Sequence, residues 1–100
     1  MRVYISGGIT GVPDYKERFS EAEKELKEKG HEVISPAKVS DVLPSMDYEE
    51  YMSVDLLLLS MCDAIYMLEG WEKSTGANRE YCYAVEKCKM VIEEQEGKKV

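Results

Sequence analysis

The sequence is short of the features that would tie it to a disulfide scaffold, a membrane or a nucleic-acid polymer. Its three cysteines, Cys62, Cys82 and Cys88, are odd in number and contain no Cys-x-x-Cys pair. That argues against a disulfide framework or a zinc knuckle and fits a reducing cytoplasm. The longest aliphatic run, Leu56 to Leu59, is far below the roughly 20 residues that span a bilayer. The start, Met1-Arg2-Val3-Tyr4-Ile5, lacks the apolar length of a signal peptide. Lys and Arg total 13 against 20 Asp and Glu, a formal net charge of −7, with no basic cluster beyond Lys98-Lys99. Such a surface repels DNA and RNA, although backbone N–H groups can still hold one small anion. The one histidine, His31, has no Ser or Cys nucleophile arrangement near it, so a catalytic triad has no support.

What is present is enough for one small core. The chain has 100 residues, 44 % of them hydrophobic and 33 % charged, the balance of a soluble globular domain. That domain is expected over residues 1–93, with a polar tail at 94–100. Residues 2–6 are rich in β-formers and stop at Gly7-Gly8, which predicts a short buried strand. Asp14 can cap a helix with Phe19, Ala22, Glu23, Leu26 and Lys29 at mostly helical spacing, closed by Gly30 at C′. Residues 31–35 read as a second strand stopped by Pro36, and 36–46 as a loop. From the N-cap Asp47 to about Cys62 a second helix is predicted, with Tyr48, Tyr51, Met52, Leu58, Leu59 and Cys62 on its apolar stripe. A strand at 63–68, a loop at 69–75, a helix at 76–88 and a strand at 89–92 complete the alternation. Such alternation belongs to a parallel α/β sheet with right-handed crossovers. Ligands bind such sheets beyond the carboxyl ends of the strands, where the strand order reverses. That rule nominates the loops 7–13 and 69–76.

Several residues break the pattern. Asp55 stands four residues after Tyr51 and four before Leu59, so a carboxylate falls on or beside the apolar stripe. It either faces inward to a pocket or marks the edge of the buried face. Glu80 shares the row Gly76, Glu80, Ala84, Cys88 with small apolar neighbours, although a carboxylate early in a helix is also favoured by the macrodipole alone. Two inward carboxylates suit glycoside chemistry, one attacking or stabilising the anomeric carbon while the other assists departure. Ser74-Thr75-Gly76 can cap the last helix or hold a phosphate or sugar hydroxyl at its N-terminus. Gly7-Gly8-Ile9-Thr10-Gly11 follows a strand but matches neither G-x-G-x-x-G nor the P-loop. Tyr48, Tyr51 and Met52 read as core or subunit interface.

Three blocks in order resemble the nucleoside 2-deoxyribosyltransferase superfamily: Val3 to Gly11, the Asp55-x7-Asp63 spacing, and Gly70-Trp71-Glu72-Lys73-Ser74-x-Gly76-x3-Glu80-x3-Ala84. The similarity is closest to its small bacterial and phage members, with the 2′-deoxynucleoside 5′-monophosphate N-glycosidase as a second relative. The resemblance implies an α/β three-layer sandwich with a four- or five-stranded parallel sheet, flavodoxin- or Rossmann-like, in the order 2-1-3-4. It implies Glu80 as the nucleophile that attacks C1′ of deoxyribose, Asp55 as the residue that orients it and assists the departing base, and Tyr4 as an active-site tyrosine. Gly7, Gly8, Ile9, Thr10 and Gly11 match the loop around the sugar and 5′-phosphate. Ser74 matches the serine that contacts phosphate where the transferases carry aspartate, and Gly76 lies beside it. Gly8 and Thr10 depart from the serine and arginine of the nucleotide glycosidase loop, leaving Lys73 as a candidate to compensate.

The expected activity is hydrolysis or transfer at the N-glycosidic bond of a deoxyribonucleoside or its 5′-monophosphate, through a covalent glycosyl-Glu80 intermediate. The alternatives are a non-catalytic nucleotide-binding module and a ribosyl- or NAD-type N-glycosidase. No cofactor or metal is expected. The partners are a small nucleoside or nucleotide and further copies of the chain, since so short a sheet leaves aromatic and Met side chains to cover.

Overall fold

The computed structural model describes residues 1–94; the polar tail predicted over 94–100 lies, after Glu94, outside the described residues. Four strands form one all-parallel sheet: β1 (Arg2–Ser6), β2 (Glu32–Ile34), β3 (Ala64–Met67) and β4 (Met90–Glu93), in the order β2-β1-β3-β4. The predicted strand order is therefore present, with four strands among the described residues. Val3 pairs with Val33 on one side and with Ala64 on the other, and Ile65 pairs with Val91. The central strands β1 and β3 are buried on both faces, which suits their runs of Val, Ile, Tyr and Met.

Alternation along these strands divides the core in two. Val3, Ile5, Ala64, Tyr66 and Leu68 pack with Phe19, Ala22 and Leu26 of α1 (Tyr15–Glu28). Tyr4, Ile65 and Met67 face the other way, against Leu59 of α3 (Tyr48–Ser60) and Ala77 and Ala84 of α4 (Thr75–Glu86). Helices thus cover both faces. Gly30 follows α1 at φ +90°, the left-handed backbone of a C′ glycine. Asp47 caps α3 as predicted, and more completely: its carboxylate accepts from Glu50 N–H at 2.8 Å while the Glu50 carboxylate accepts from Asp47 N–H at 3.0 Å.

Residues 36–46 are not all loop. A further helix, α2 (Pro36–Val42), begins directly on the proline that was read as a stop. At the first helical position the missing N–H has no partner to lose and the fixed φ is already helical. Lys38 on α2 meets the Glu23 carboxylate of α1 at 3.0 Å, and Lys27 meets it at 2.7 Å. The predicted loop 69–75 contains a 3-10 turn, Trp71–Lys73. On α3 the predicted stripe is only partly right: Met52, Leu59 and Cys62 are buried, but Tyr48 is exposed and Tyr51 and Leu58 are half-buried. Among the described residues no helix is long and apolar enough to cross a membrane.

Candidate active site

The chain leaves β1 toward β2 on one side, then returns across it to β3 on the other, so the sheet order reverses between the carboxyl ends of β1 and β3. A cleft of about 1090 Å³ opens at that point. Its floor is the loop from Gly7 to Val12, one wall is the segment from Glu69 to Glu80, and the other is built by α2 and the start of α3. Gly7 is required by the close approach of the two strand ends: a Cβ there would stand 2.8 Å from Leu68 Cβ. Leu68 N–H donates to the Ser6 carbonyl at 2.8 Å and holds that approach.

Of the residues singled out in the sequence, Glu80, Asp55, Gly7, Gly8, Ile9, Thr10, Gly11, Ser74 and Gly76 all line this one cleft. Tyr4 does not. It is fully buried behind Glu80, and its hydroxyl donates to Glu80 Oε2 at 2.5 Å. Ser6, which drew no attention in the sequence, donates from Oγ to Glu80 Oε1 at 2.6 Å. Strand periodicity explains the pairing, because residues two apart on β1 share the face toward α4. Glu80 itself is 5 % exposed.

The electrostatics follow from this burial. Burial pushes Glu80 up to about 7, the hydrogen bonds from Ser6 and Tyr4 pull it down, and the charge of Asp55 adds to the rise. Burial likewise raises Asp55 to about 6. Burial and the neighbouring Glu80 charge hold the Tyr4 phenol well above its ordinary value, so Tyr4 remains a donor. The geometry therefore presents two carboxyl groups in one cleft, each able to carry or release a proton near neutrality.

Ser74 caps α4, its Oγ accepting from Ala77 N–H at 3.2 Å, and still lines the cleft. Lining residues that sequence reasoning passed over or read as core include Arg18, Asp41, Tyr48, Tyr51 and Met52. Arg18 donates to the Glu69 carbonyl at 2.6 Å. The Tyr48 ring lies 5.6 Å from the Arg79 guanidinium, which is itself paired with Glu49 at 2.9 Å. The helical spacing of Tyr48, Tyr51 and Met52 with Asp55 was visible, but spacing alone does not separate a cleft wall from a core.

No curated protein matches the sequence. Two solved structures share the fold over 93 % of this chain. The 2-deoxyribosyltransferase of the psychrotolerant bacterium Bacillus psychrosaccharolyticus is 21 % identical, with a TM-score of 0.72 over 71 % of its own length. The CMP N-glycosidase of Clostridium botulinum is 22 % identical, with a TM-score of 0.68 over 70 % of its length. The fold is accordingly that of the nucleoside 2-deoxyribosyltransferase-like proteins. Residues 1–93 match the family model described as a domain of unknown function, DUF4406, and the chain belongs to that family.

Proposed function

We propose that the protein cleaves the N-glycosidic bond of a deoxyribonucleoside or its 5′-monophosphate, with Glu80 as nucleophile. The observation that carries this reading is the Glu80 carboxylate, buried at the strand-order reversal, hydrogen-bonded on both oxygens and facing a cleft that also holds Asp55. A lone pair of the ionised Glu80 attacks C1′, and the C1′–N bond electrons leave with the base. The protonated Asp55 supplies a proton to the departing base nitrogen. Water, deprotonated by the Asp55 carboxylate, then attacks C1′ of the ester and returns Glu80 to its ionised form. A second base in place of water gives transfer.

The half-exposed Tyr48 and Tyr51 offer an aromatic wall for the base. The Gly7 to Gly11 loop and Ser74 surround the sugar, and Arg18 and Lys73 are cations lining the cleft for a phosphate. The unpaired cysteines among the described residues fit a cytoplasmic enzyme. Exposed Leu57, Met61 and Val85 on the outer helices suit a homo-oligomer; a monomer by light scattering at micromolar concentration argues against that part.

The test is to incubate the protein with the common deoxynucleosides and their monophosphates and separate free base by chromatography, with Glu80→Gln as control. Release by the wild type alone supports the reading; no release from any of them overturns it. A second reading, cleavage of a ribonucleotide, draws on the likeness to a protein named CMP N-glycosidase. Faster release from CMP than from dCMP would favour it. Tight nucleotide binding by calorimetry with no release would instead favour a non-catalytic module.

A further inference from the structure

We propose that Ser6 is a positioning residue for Glu80, forming with Tyr4 a two-point clamp that holds one hydroxyl on each carboxylate oxygen. The terminal torsion of a glutamate is soft and broad, so a single donor leaves the carboxylate plane free to turn. Donors at 2.6 Å on Oε1 and 2.5 Å on Oε2 fix that plane. The clamp is rigid because its two members lie two residues apart on one strand, not on loops: Tyr4 and Ser6 are both fully buried on the central strand β1. Ser6 is further pinned through its own carbonyl, which accepts from Leu68 N–H at 2.8 Å.

The second consequence is electrostatic. Besides its two hydroxyl donors, the charged or titratable group acting on Glu80 among the described residues is Asp55 on α3, which opposes ionisation. The nearest cation on α4, Arg79, is taken up by Glu49 at 2.9 Å. The buried anion therefore depends on two neutral hydroxyls rather than on a salt bridge, and Ser6 carries one of its two oxygens. A purely structural serine would stabilise the fold without setting the protonation of Glu80.

This inference rests on Glu80 being the nucleophile, and two readouts keep the questions apart. The first needs no activity: the side-chain carboxyl carbon of Glu80, assigned by its loss in Glu80→Gln, is titrated by carbon NMR in wild type, Ser6→Ala and Ser6→Cys. Losing one charge-assisted donor is expected to raise the midpoint by roughly one pH unit in Ser6→Ala, with the weaker thiol donor of Ser6→Cys in between. The second readout is kcat/KM for base release, expected to fall roughly tenfold at pH values well below the midpoint, where less Glu80 is ionised. A midpoint in Ser6→Ala within about 0.2 pH unit of wild type overturns the clamp. If Ser6→Ala does not fold, an unshifted Ser6→Cys does the same. Absence of base release from the wild type at every pH sinks the proposed activity instead, and the carbon titration still decides the clamp.

Discussion

At the scale of single residues, the chemistry turns on how far burial separates two carboxyl groups from their ordinary behaviour. In the proposed reaction Glu80, raised to about 7, attacks only when ionised, so its contribution grows as pH climbs toward that value. Asp55, raised to about 6, donates only when protonated, so its contribution falls as pH climbs through that value. Ionised Glu80 with protonated Asp55 is then the minor singly protonated form of the pair, so the expected kcat/KM profile is a low bell that rises through about 6 and falls through about 7, both apparent values belonging to the pair. In Asp55→Asn the charge that raises Glu80 is gone, so the Glu80 midpoint falls below about 7 while base release slows. A pH titration of both quantities checks this, and an unmoved midpoint counts against the coupling. Arg18→Ala is expected to raise KM for monophosphates and leave nucleosides unaffected; steady-state kinetics on the matched pair decides. Glu80 and Asp55 were legible because a charge on an apolar row is conspicuous. Ser6 was not, since a serine ending a strand carries no signal until the residue opposite it, 74 positions later, is known.

At the scale of elements, the boundaries of the cleft depend on two helices whose starts are set by different local chemistry. The reciprocal hydrogen bonds of Asp47 and Glu50 fix the first turn of α3, which carries Tyr48 and Tyr51 into the cleft wall. Asp47→Ala is expected to lose about 1 kcal/mol in urea denaturation and to raise KM, because the frayed turn no longer holds the aromatic wall. α2 is docked on α1 by Glu23, whose burial raises its pKa but whose hydrogen bonds from Lys27 and Lys38 outweigh this and hold it below its ordinary value. Both lysines are more than half exposed. Glu23→Gln is therefore expected to cost about 1 kcal/mol or less in dilute buffer, shrinking in salt, as read from urea midpoints. The alternation of strands and helices was legible from β-rich runs and caps, whereas α2 was hidden because proline serves equally to stop a strand and to start a helix. The phase of α3 was ambiguous for a related reason: Leu56 to Leu59 are apolar on every side, so periodicity could not decide which way Asp55 faces.

At the scale of the whole molecule, an acidic protein that places two carboxyl groups in one cleft is expected to lose stability as they ionise. In the unfolded chain Glu80 titrates near its ordinary value of 4.5, and in the folded protein near 7. Between those values the folded state binds the extra proton, so the contribution of Glu80 is fully present below 4.5, is lost as pH rises through about 7, and stays lost above. Asp55, moving from 3.8 to about 6, acts with the same sign, discounted because it is half-buried and partly screened by solvent. Glu23 has the opposite sign, but its contribution is present above its ordinary value of 4.5 and is lost only as pH falls below that through its lowered folded value. Relief of repulsion among the net −7 charges on acidification is common to wild type and mutant, and a comparison with Glu80→Gln removes it. Urea midpoints at about pH 5.5 and about pH 8 should show the wild type gaining about 2 kcal/mol more on acidification than Glu80→Gln. At the higher pH the mutant should be the more stable protein, since the neutral amide removes a buried charge; its oxygen accepts from one of the two hydroxyls and its NH2 donates to the oxygen of the other. Equal pH dependence in the two proteins would mean that Glu80 ionises as freely in the cleft as in water, and the buried nucleophile would have no electrostatic basis.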